Sequence, residues 1–264
     1  MDSPGAIAIL NNWSTSSVAA GDVKRALALF DEVIRLASQR VSGGKPPPYA
    51  ASNRAAALLA LGRYREAIEQ ADRAFVIAQE ANHRAFQTSA LLTKAGAYTE
   101  LGELQAADRL LAEATTLARD LLADSAIKII VSLRRAKLAL AKGEPEVAHD
   151  AIEPAIELFE GRRMRVAPLA LALLLRAEGR NRLGDRAAAL RDAQDALQIT
   201  QQIQGGRPYS LLTGQSWLLL ARLKRDDGDA AASRAAARNA AEHLTDMLGE
   251  THRDTLLARQ LASE

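Results

Sequence analysis

Cysteine is absent from this 264-residue chain, which removes disulfide frameworks, thiolate zinc sites and cysteine nucleophiles together. Aromatic residues reach only 4%, and valine and isoleucine are scarce, so sheet folds are disfavoured. An excess of one charge is also missing. The 34 basic and 32 acidic side chains leave a formal +2, whereas a nucleic-acid binder would carry a larger basic surplus gathered on one face. No nucleic-acid partner is expected. The opening MDSPGAIAILNNW has no basic n-region, and its apolar stretch from Ala6 to Leu10 is too short for a signal h-region. The longest apolar run, Val166 to Leu175, is about half of what a bilayer crossing needs. The chain is therefore expected to be cytoplasmic, without a membrane partner.

What is present is alanine and leucine, 55 and 39 residues respectively. Together with Glu, Lys and Arg they make 144 of the 264 residues, a composition typical of long or repeated helices. The apolar fraction of 48% is too high for disorder.

Glycines followed by a polar residue recur at Gly21, Gly62, Gly102, Gly143, Gly184 and Gly228, with spacings of 41, 40, 41, 41 and 44. A fixed period of this length signals a repeat architecture. Five residues beyond each glycine stands Ala26, Ala67, Ala107, Ala148, Ala189 or Ser233, and twelve beyond it Val33, Ala74, Ala114, Ala155, Ala196 or Ala240. Seven before it, in five units, stand Ala55, Ala95, Ala136, Ala177 and Ala221. Offsets of five and twelve differ by seven, so both fall on one helical face, where small side chains let a second helix approach closely. The glycine supplies the left-handed residue that ends one helix, and the following acid favours the start of the next. Each unit is thus a helical hairpin.

Prolines mark the other boundaries. Pro46 to Pro48, Pro168 and Pro208 fall where one hairpin gives way to the next, and Pro145 just after Gly143, positions suited to a first turn that needs no donor. Pro154 alone lies inside a helix, where a kink is expected. The helices predicted from this pattern are 6–20, 23–41, 48–61, 63–81, 85–101, 103–121, 125–142, 144–160, 166–183, 185–204, 208–227 and 229–248, with a last helix near 253–262.

Unit two, AASNRAAALLALGRYREAIEQADRAFVIA, with Ala55, Gly62, Tyr64, Ala67 and Ala74 in order, resembles the tetratricopeptide repeat. The terminal LGETHRDTLLARQLA, through Gly249, His252, Asp254 and Thr255, is similar to the inter-repeat segment of the 42-residue variant found in kinesin light chains and bacterial regulators. The resemblance implies an all-α, right-handed superhelical solenoid, a single array over residues 1–264 with units near 6–42, 46–82, 84–122, 124–161, 165–204 and 207–249 and a terminal helix at 252–263. The family's large residue four positions into the first helix is met by Trp217 alone, the others being Ala51, Leu91, Ser132 and Leu173. Similar arrays follow bacterial serine/threonine kinase domains or sit within transcriptional regulators, so this chain is equally compatible with an excised segment and with a standalone adaptor.

No catalytic constellation emerges. His83, His149, His243 and His252 have no helical metal-site spacing, and Gly214-Gln215-Ser216-Trp217-Leu218 lacks the closing glycine of a nucleophile elbow. No catalytic, cofactor-binding or metal residue is expected. Trp13 and Trp217 are read as packing residues. Asp150, Glu153, Glu157 and Glu160 form a solvated face of one helix. Arg162, Arg163 and Arg165 form a basic loop, a rim suited to an acidic partner. Arg54, Lys94, Arg135 and Arg176 recur eight before successive glycines and read as stems laid across inter-repeat surface with wet heads.

The resemblance places a concave groove on the first helices, two, three, six, ten and thirteen residues before each glycine. It selects Ile130, Leu133, Lys137, Leu140 and Ala141; then Leu171, Leu174, Glu178, Asn181 and Arg182; then Gln215, Leu218, Arg222, Arg225 and Asp226. Earlier units contribute Tyr49, Leu59, Leu92 and Glu100. The expected partner-binding residues are Lys137, Asn181, Arg182, Gln215, Arg222 and Arg225, and the expected partner is a protein or peptide, either an amphipathic helix or an acidic peptide. The chain is read as a non-catalytic binding scaffold. The alternative is the sensor segment of a larger kinase or regulator.

Overall fold

The computed structural model describes residues 4–40, 46–121 and 125–264. Among them are thirteen helices and no strand: α1 Pro4–Ala19, α2 Val23–Arg40, α3 Pro48–Ala60, α4 Tyr64–Glu80, α5 Arg84–Glu100, α6 Leu104–Leu117, α7 Ala126–Lys142, α8 Pro145–Gly161, α9 Ala167–Arg182, α10 Arg186–Gln204, α11 Leu211–Asp226, α12 Ala230–Leu248 and α13 Arg253–Ser263. The chain is an all-α solenoid of helical hairpins. It divides into two compact units, Met1–Val18 with Val23–Arg134, and Ala19–Asp22 with Arg135–Glu264, the boundary falling within α7.

Every turn glycine of the period has positive φ, between 73° and 86°. The residue after it then donates its backbone N–H to the carbonyl five places back: Arg63 to Leu58, Glu103 to Tyr98, Glu144 to Ala139, Asp185 to Arg180 and Asp229 to Lys224, at 2.9–3.0 Å. This satisfies a carbonyl the helix end would otherwise orphan. Two junctions between hairpins use the same closure without glycine. Asn82 and Arg163 take φ of 53° and 52°, and His83 and Met164 close onto Ala78 and Phe159 at 2.8 Å.

Helix starts divide by side-chain length. Asp185 and Asp229 accept from the backbone N–H of Ala188 and Ala232 at 3.1 and 3.0 Å, while Glu103 and Glu144 at the equivalent place make no such cap. One extra methylene carries the carboxylate past the N–H group.

The small residues at offsets of five, twelve and minus seven are buried without exception. They are the surface on which paired helices meet. Ser233, the one polar member, donates to the carbonyl of Ala221 at 2.8 Å, so its hydroxyl is satisfied inside the contact. In the first unit Ala51, Ala55, Ala71, Ala74 and Ala90 form a cluster backed by Phe75 and Ile77.

Three local expectations need correction, those for Pro208, for the end of α6 and for Trp13. Pro208 lies three residues ahead of α11. Ser210 is the cap instead, its Oγ accepting from Thr213 N–H at 3.4 Å. Helix α6 stops at Leu117 because three-residue bonds, Arg119 to Thr116 and Leu121 to Ala118, take over its last turn. Helix α8 runs unbroken through Pro154; this proline is exposed, so water reaches the carbonyl that loses its donor. Trp13 is 56% exposed rather than packed. It stands eight before Gly21, the register that later carries Arg54, Lys94 and Arg176, whose heads reach back to a preceding second helix.

Candidate functional site

Those recurring cations are inter-repeat ion pairs, and their heads are not simply wet. Arg54 binds Asp31 and Lys94 binds Asp72, each at 2.5 Å, and Arg176 binds Glu153 at 2.9 Å. All three acids stand ten residues after a turn glycine. The sequence therefore contained the partner as a second periodic signal, an acid at plus ten facing a base at minus eight. After Gly102 the position is held by Ala112, so Arg135 lacks this partner.

In the second unit the pair grows into a buried network. Arg176 donates a fork to Asp192, Nε to Oδ2 and a terminal nitrogen to Oδ1, both at 2.9 Å, while its other terminal nitrogen reaches Glu153. Arg180 adds a bond to Asp192 at 2.8 Å. The Asp192 side chain is only 5% exposed and that of Arg176 10%. Two guanidinium groups against two carboxylates balance the charge that burial would otherwise penalise. The carboxylate bonds hold the Arg176 pKa above its ordinary value against the opposing effect of burial. Glu153 thus leaves the solvated acidic face expected of α8, on which Asp150, Glu157 and Glu160 remain exposed.

The expected groove residues of the second unit lie on α7, α9 and α11. Glu178 ties two of them together, accepting from Arg182 at 2.6 Å and standing 4.0 Å from Arg222. Arg182 also donates to the Leu140 carbonyl at 2.5 Å, which anchors α9 to the end of α7. Asn181 donates to Asp226 at 3.2 Å. Arg225 is 3.8 Å from Asp226 and from Glu264. Gln215 and Lys137 are half-buried, and Lys137 has an interaction of its own. The cations on this face are therefore partly neutralised from within the chain.

Several groove leucines do not line an open surface. Leu59, Leu92, Leu140 and Leu218 are buried, whereas Leu171 and Leu174 stay half-buried. An offset rule fixes the direction of a side chain, and the neighbouring helix decides whether it is covered. In the first unit, Arg134 was missed. It crosses Gly96, where a Cβ would come within 2.8 Å of Leu59 and 3.1 Å of the guanidinium. Burial pulls its pKa down, opposed by Glu100, and its Nε has no hydrogen-bond partner. The signal available was Gly96 itself, a bare position six before the turn where α9 and α11 carry Glu178 and Arg222.

Among the described residues no three histidine, aspartate or glutamate side chains are grouped to hold a metal ion, and no helix is long and apolar enough to cross a membrane. Of the basic loop, Arg165 donates to Gln198 at 2.9 Å and Met164 beside it is exposed.

Tandem hairpins with buried small residues at fixed offsets, joined by glycine turns, define a helical-repeat architecture. The sequence matches no family model and no curated protein. Among solved structures, it is similar to NprR in complex with its cognate peptide NprX, with a TM-score of 0.65 at 14% identity over 98% of this chain and 73% of that one. It is also similar to a signal transduction ATPase with numerous domains, carrying a tetratricopeptide repeat sensor, from Pyrococcus horikoshii, with a TM-score of 0.64 at 16% identity over 96% of this chain and 36% of that one. A tetratricopeptide repeat protein from Parabacteroides merdae gives 0.57 at 15% identity, over 99% and 84%. The fold is that of the tetratricopeptide repeat.

Proposed function

We propose that the chain is a scaffold that binds a protein or peptide on the first-helix face of its second unit, without catalysis of its own. The observation carrying this reading is the row Glu178, Asn181, Arg182, Arg222, Arg225 and Asp226. It sets hydrogen-bonding heads along α9 and α11 and restrains them by ion pairs. Restrained side chains lose less entropy when a ligand arrives. Lys137, Arg182, Arg222 and Arg225 outnumber Glu178 and Asp226 on this face, which favours an acidic ligand. The NprR structure, which holds a peptide on the same fold, supports a peptide as ligand class. We also propose a bacterial source, which the sequence resemblance implies, and a cytoplasmic location.

A second reading has its own support. The Pyrococcus protein carries a tetratricopeptide sensor, and this chain spans 36% of its length. Here the scaffold is the sensing segment of a larger regulator or kinase, and the full reading frame decides between the two.

The test is affinity capture from the native organism with wild type, Arg222→Glu/Arg225→Glu and Arg162→Glu/Arg163→Glu, all with unchanged helical circular dichroism. The groove pair is expected to lose partners and the loop pair to keep them. Equal recovery by the groove variant and wild type would sink the reading.

A further inference from the structure

The turn glycine of the first hairpin differs from its later counterparts. A Cβ added at Gly102, Gly143, Gly184 or Gly228 would meet nothing within 4 Å, and all four are exposed. Gly21 is buried, as are Ala20 and Val23 beside it. A Cβ there would run into the Ser210 hydroxyl and stand 3.2 Å from the backbone nitrogens of Leu211 and Leu212. The Gly21 carbonyl accepts from the Leu211 N–H at 2.9 Å, one of the first donors of α11, which no carbonyl of its own helix can reach. The turn Ala19–Asp22, which belongs to the second unit, therefore closes the start of α11.

Ser210 stands between this turn and a histidine. It is fully buried, its Oγ caps Thr213, and its own N–H donates to Nδ1 of His243 on α12 at 3.0 Å. A backbone N–H is only ever a donor, so this Nδ1 presents a lone pair. A proton there sets two donors against each other and brings positive charge to the positive end of α11. Ser210 must then shift, and Gly21 is packed on its hydroxyl.

Little else around the ring titrates. On α12 Glu242 favours the charged imidazole, while burial, the larger effect, lowers its pKa from 6.5. From the preceding loop Tyr209 meets the ring edge-on at 6.0 Å, and no residue from Leu211 to Leu218 on α11 is titratable. From α13, Arg259 turns to Thr245 and Glu250, and Arg253 to Asp254. Asp22 of the turn has an interaction of its own.

We propose that His243 works a pH-operated catch: unprotonated at Nδ1 it holds Ser210, and through Ser210 the turn Ala19–Asp22, on the start of α11, and a proton at Nδ1 releases both. The closed form keeps its full advantage above 6.5 and loses it as pH falls from there through the lower value of the closed ring. The catch acts on α11, which also carries Gln215, Arg222 and Arg225, and it stands whether or not that face binds a ligand.

Amide hydrogen exchange on the full chain, read residue by residue by NMR, tests this. Between pH 7.5 and 5.5 the protection factors of Ser210 and Leu211 should both fall by about threefold or more, while that of Ala240 within α12 stays level. The loss should level off once the His243 ring, followed through its Cε1 proton, is charged. His243→Asn keeps a side-chain acceptor near the place of Nδ1 but takes up no proton, so both amides should stay protected at pH 5.5. Gly21→Ala and Gly102→Ala carry the same left-handed strain, φ being 76° and 78°, and only the first collides with Ser210. Gly21→Ala should expose the Leu211 amide at pH 7.5, and Gly102→Ala should not. A wild-type Leu211 amide indifferent to pH, or a loss that persists in His243→Asn, would overturn the proposal. So would equal Leu211 protection in the two alanine variants.

Discussion

Asp192→Ala isolates the energetic centre of the second unit. The carboxylate accepts three guanidinium bonds, two from Arg176 at 2.9 Å and one from Arg180 at 2.8 Å, with only 5% of its side chain exposed. Charge-assisted bonds contribute about 1.5–3 kcal/mol each, but the three do not simply add. Arg180 is more exposed, at 27%, and its head returns to water, while Glu153 continues to hold Arg176. Two bonds' worth of loss, ~3 kcal/mol, sits at the lower end of the range for breaking a buried pair. Asp31→Ala is the internal control, since Asp31 is half-exposed in its pair with Arg54, and its removal should cost no more than ~1 kcal/mol. Urea unfolding followed by circular dichroism at neutral pH measures both. Arg176→Met/Asp192→Leu should recover most of the loss, because no buried charge is then stranded. A cost for Asp192→Ala within ~1 kcal/mol of that for Asp31→Ala would refute the claim that burial sets the strength of this network.

Ala148→Leu and Ala189→Leu each force a large side chain between paired helices where both alanines are buried; each should cost about 1–3 kcal/mol, whereas the exposed Ala187→Leu should be neutral, and unchanged urea midpoints would break the repeat register. His243 accepts from the Ser210 N–H through Nδ1 at 3.0 Å, a bond that needs the neutral ring, and burial lowers its pKa from 6.5 against the opposing charge of Glu242. Stability from this group is thus complete above the unfolded value of 6.5 and is lost as pH falls from there through the lower folded value, because the unfolded chain then binds the extra proton. Comparing urea midpoints at pH 7.5 and 5.5 should show a smaller drop for His243→Ala than for wild type, and identical drops would exclude the mechanism.

The hairpins were legible because turn glycine, small contacts and proline starts are each local and recur in register. The ion-pair ladder was legible too, once the acids at plus ten are set beside the bases at minus eight. Glu178 and Arg222 both stand six before their glycines, so their proximity across two first helices also followed from the period. Asp192 was not legible. Its register, eight after the glycine, holds Leu29, Gln70, Leu110, Ala151 and Ala236 elsewhere, and a feature private to one unit leaves no periodic trace. Nor could spacing foretell that Leu140 and Leu218 are covered, since coverage depends on how closely the next helix comes. Even the bare Gly179 on α9 does not set that distance, since a Cβ there would find only ordinary contacts with Leu140 and the Pro145 carbonyl.

The stitch through Glu153, Arg176, Arg180 and Asp192 spans three consecutive helices, α8, α9 and α10, whereas Asp31 with Arg54 and Asp72 with Lys94 each join only two. A repeat array opens like a one-dimensional lattice, element by element, with nearest neighbours setting the cost of each step. A bond shared by three elements changes the step size: releasing α10 strips Arg176 and Arg180 of Asp192, and releasing α8 strips Arg176 of Glu153. Helices α8 to α10 therefore come apart as one block, while α13, packed against α12 with exposed Leu256 on its far side, frays by itself. Amide protons in the middle of α9 then exchange only through the larger opening, which gives an array of near-identical parts a single slow segment.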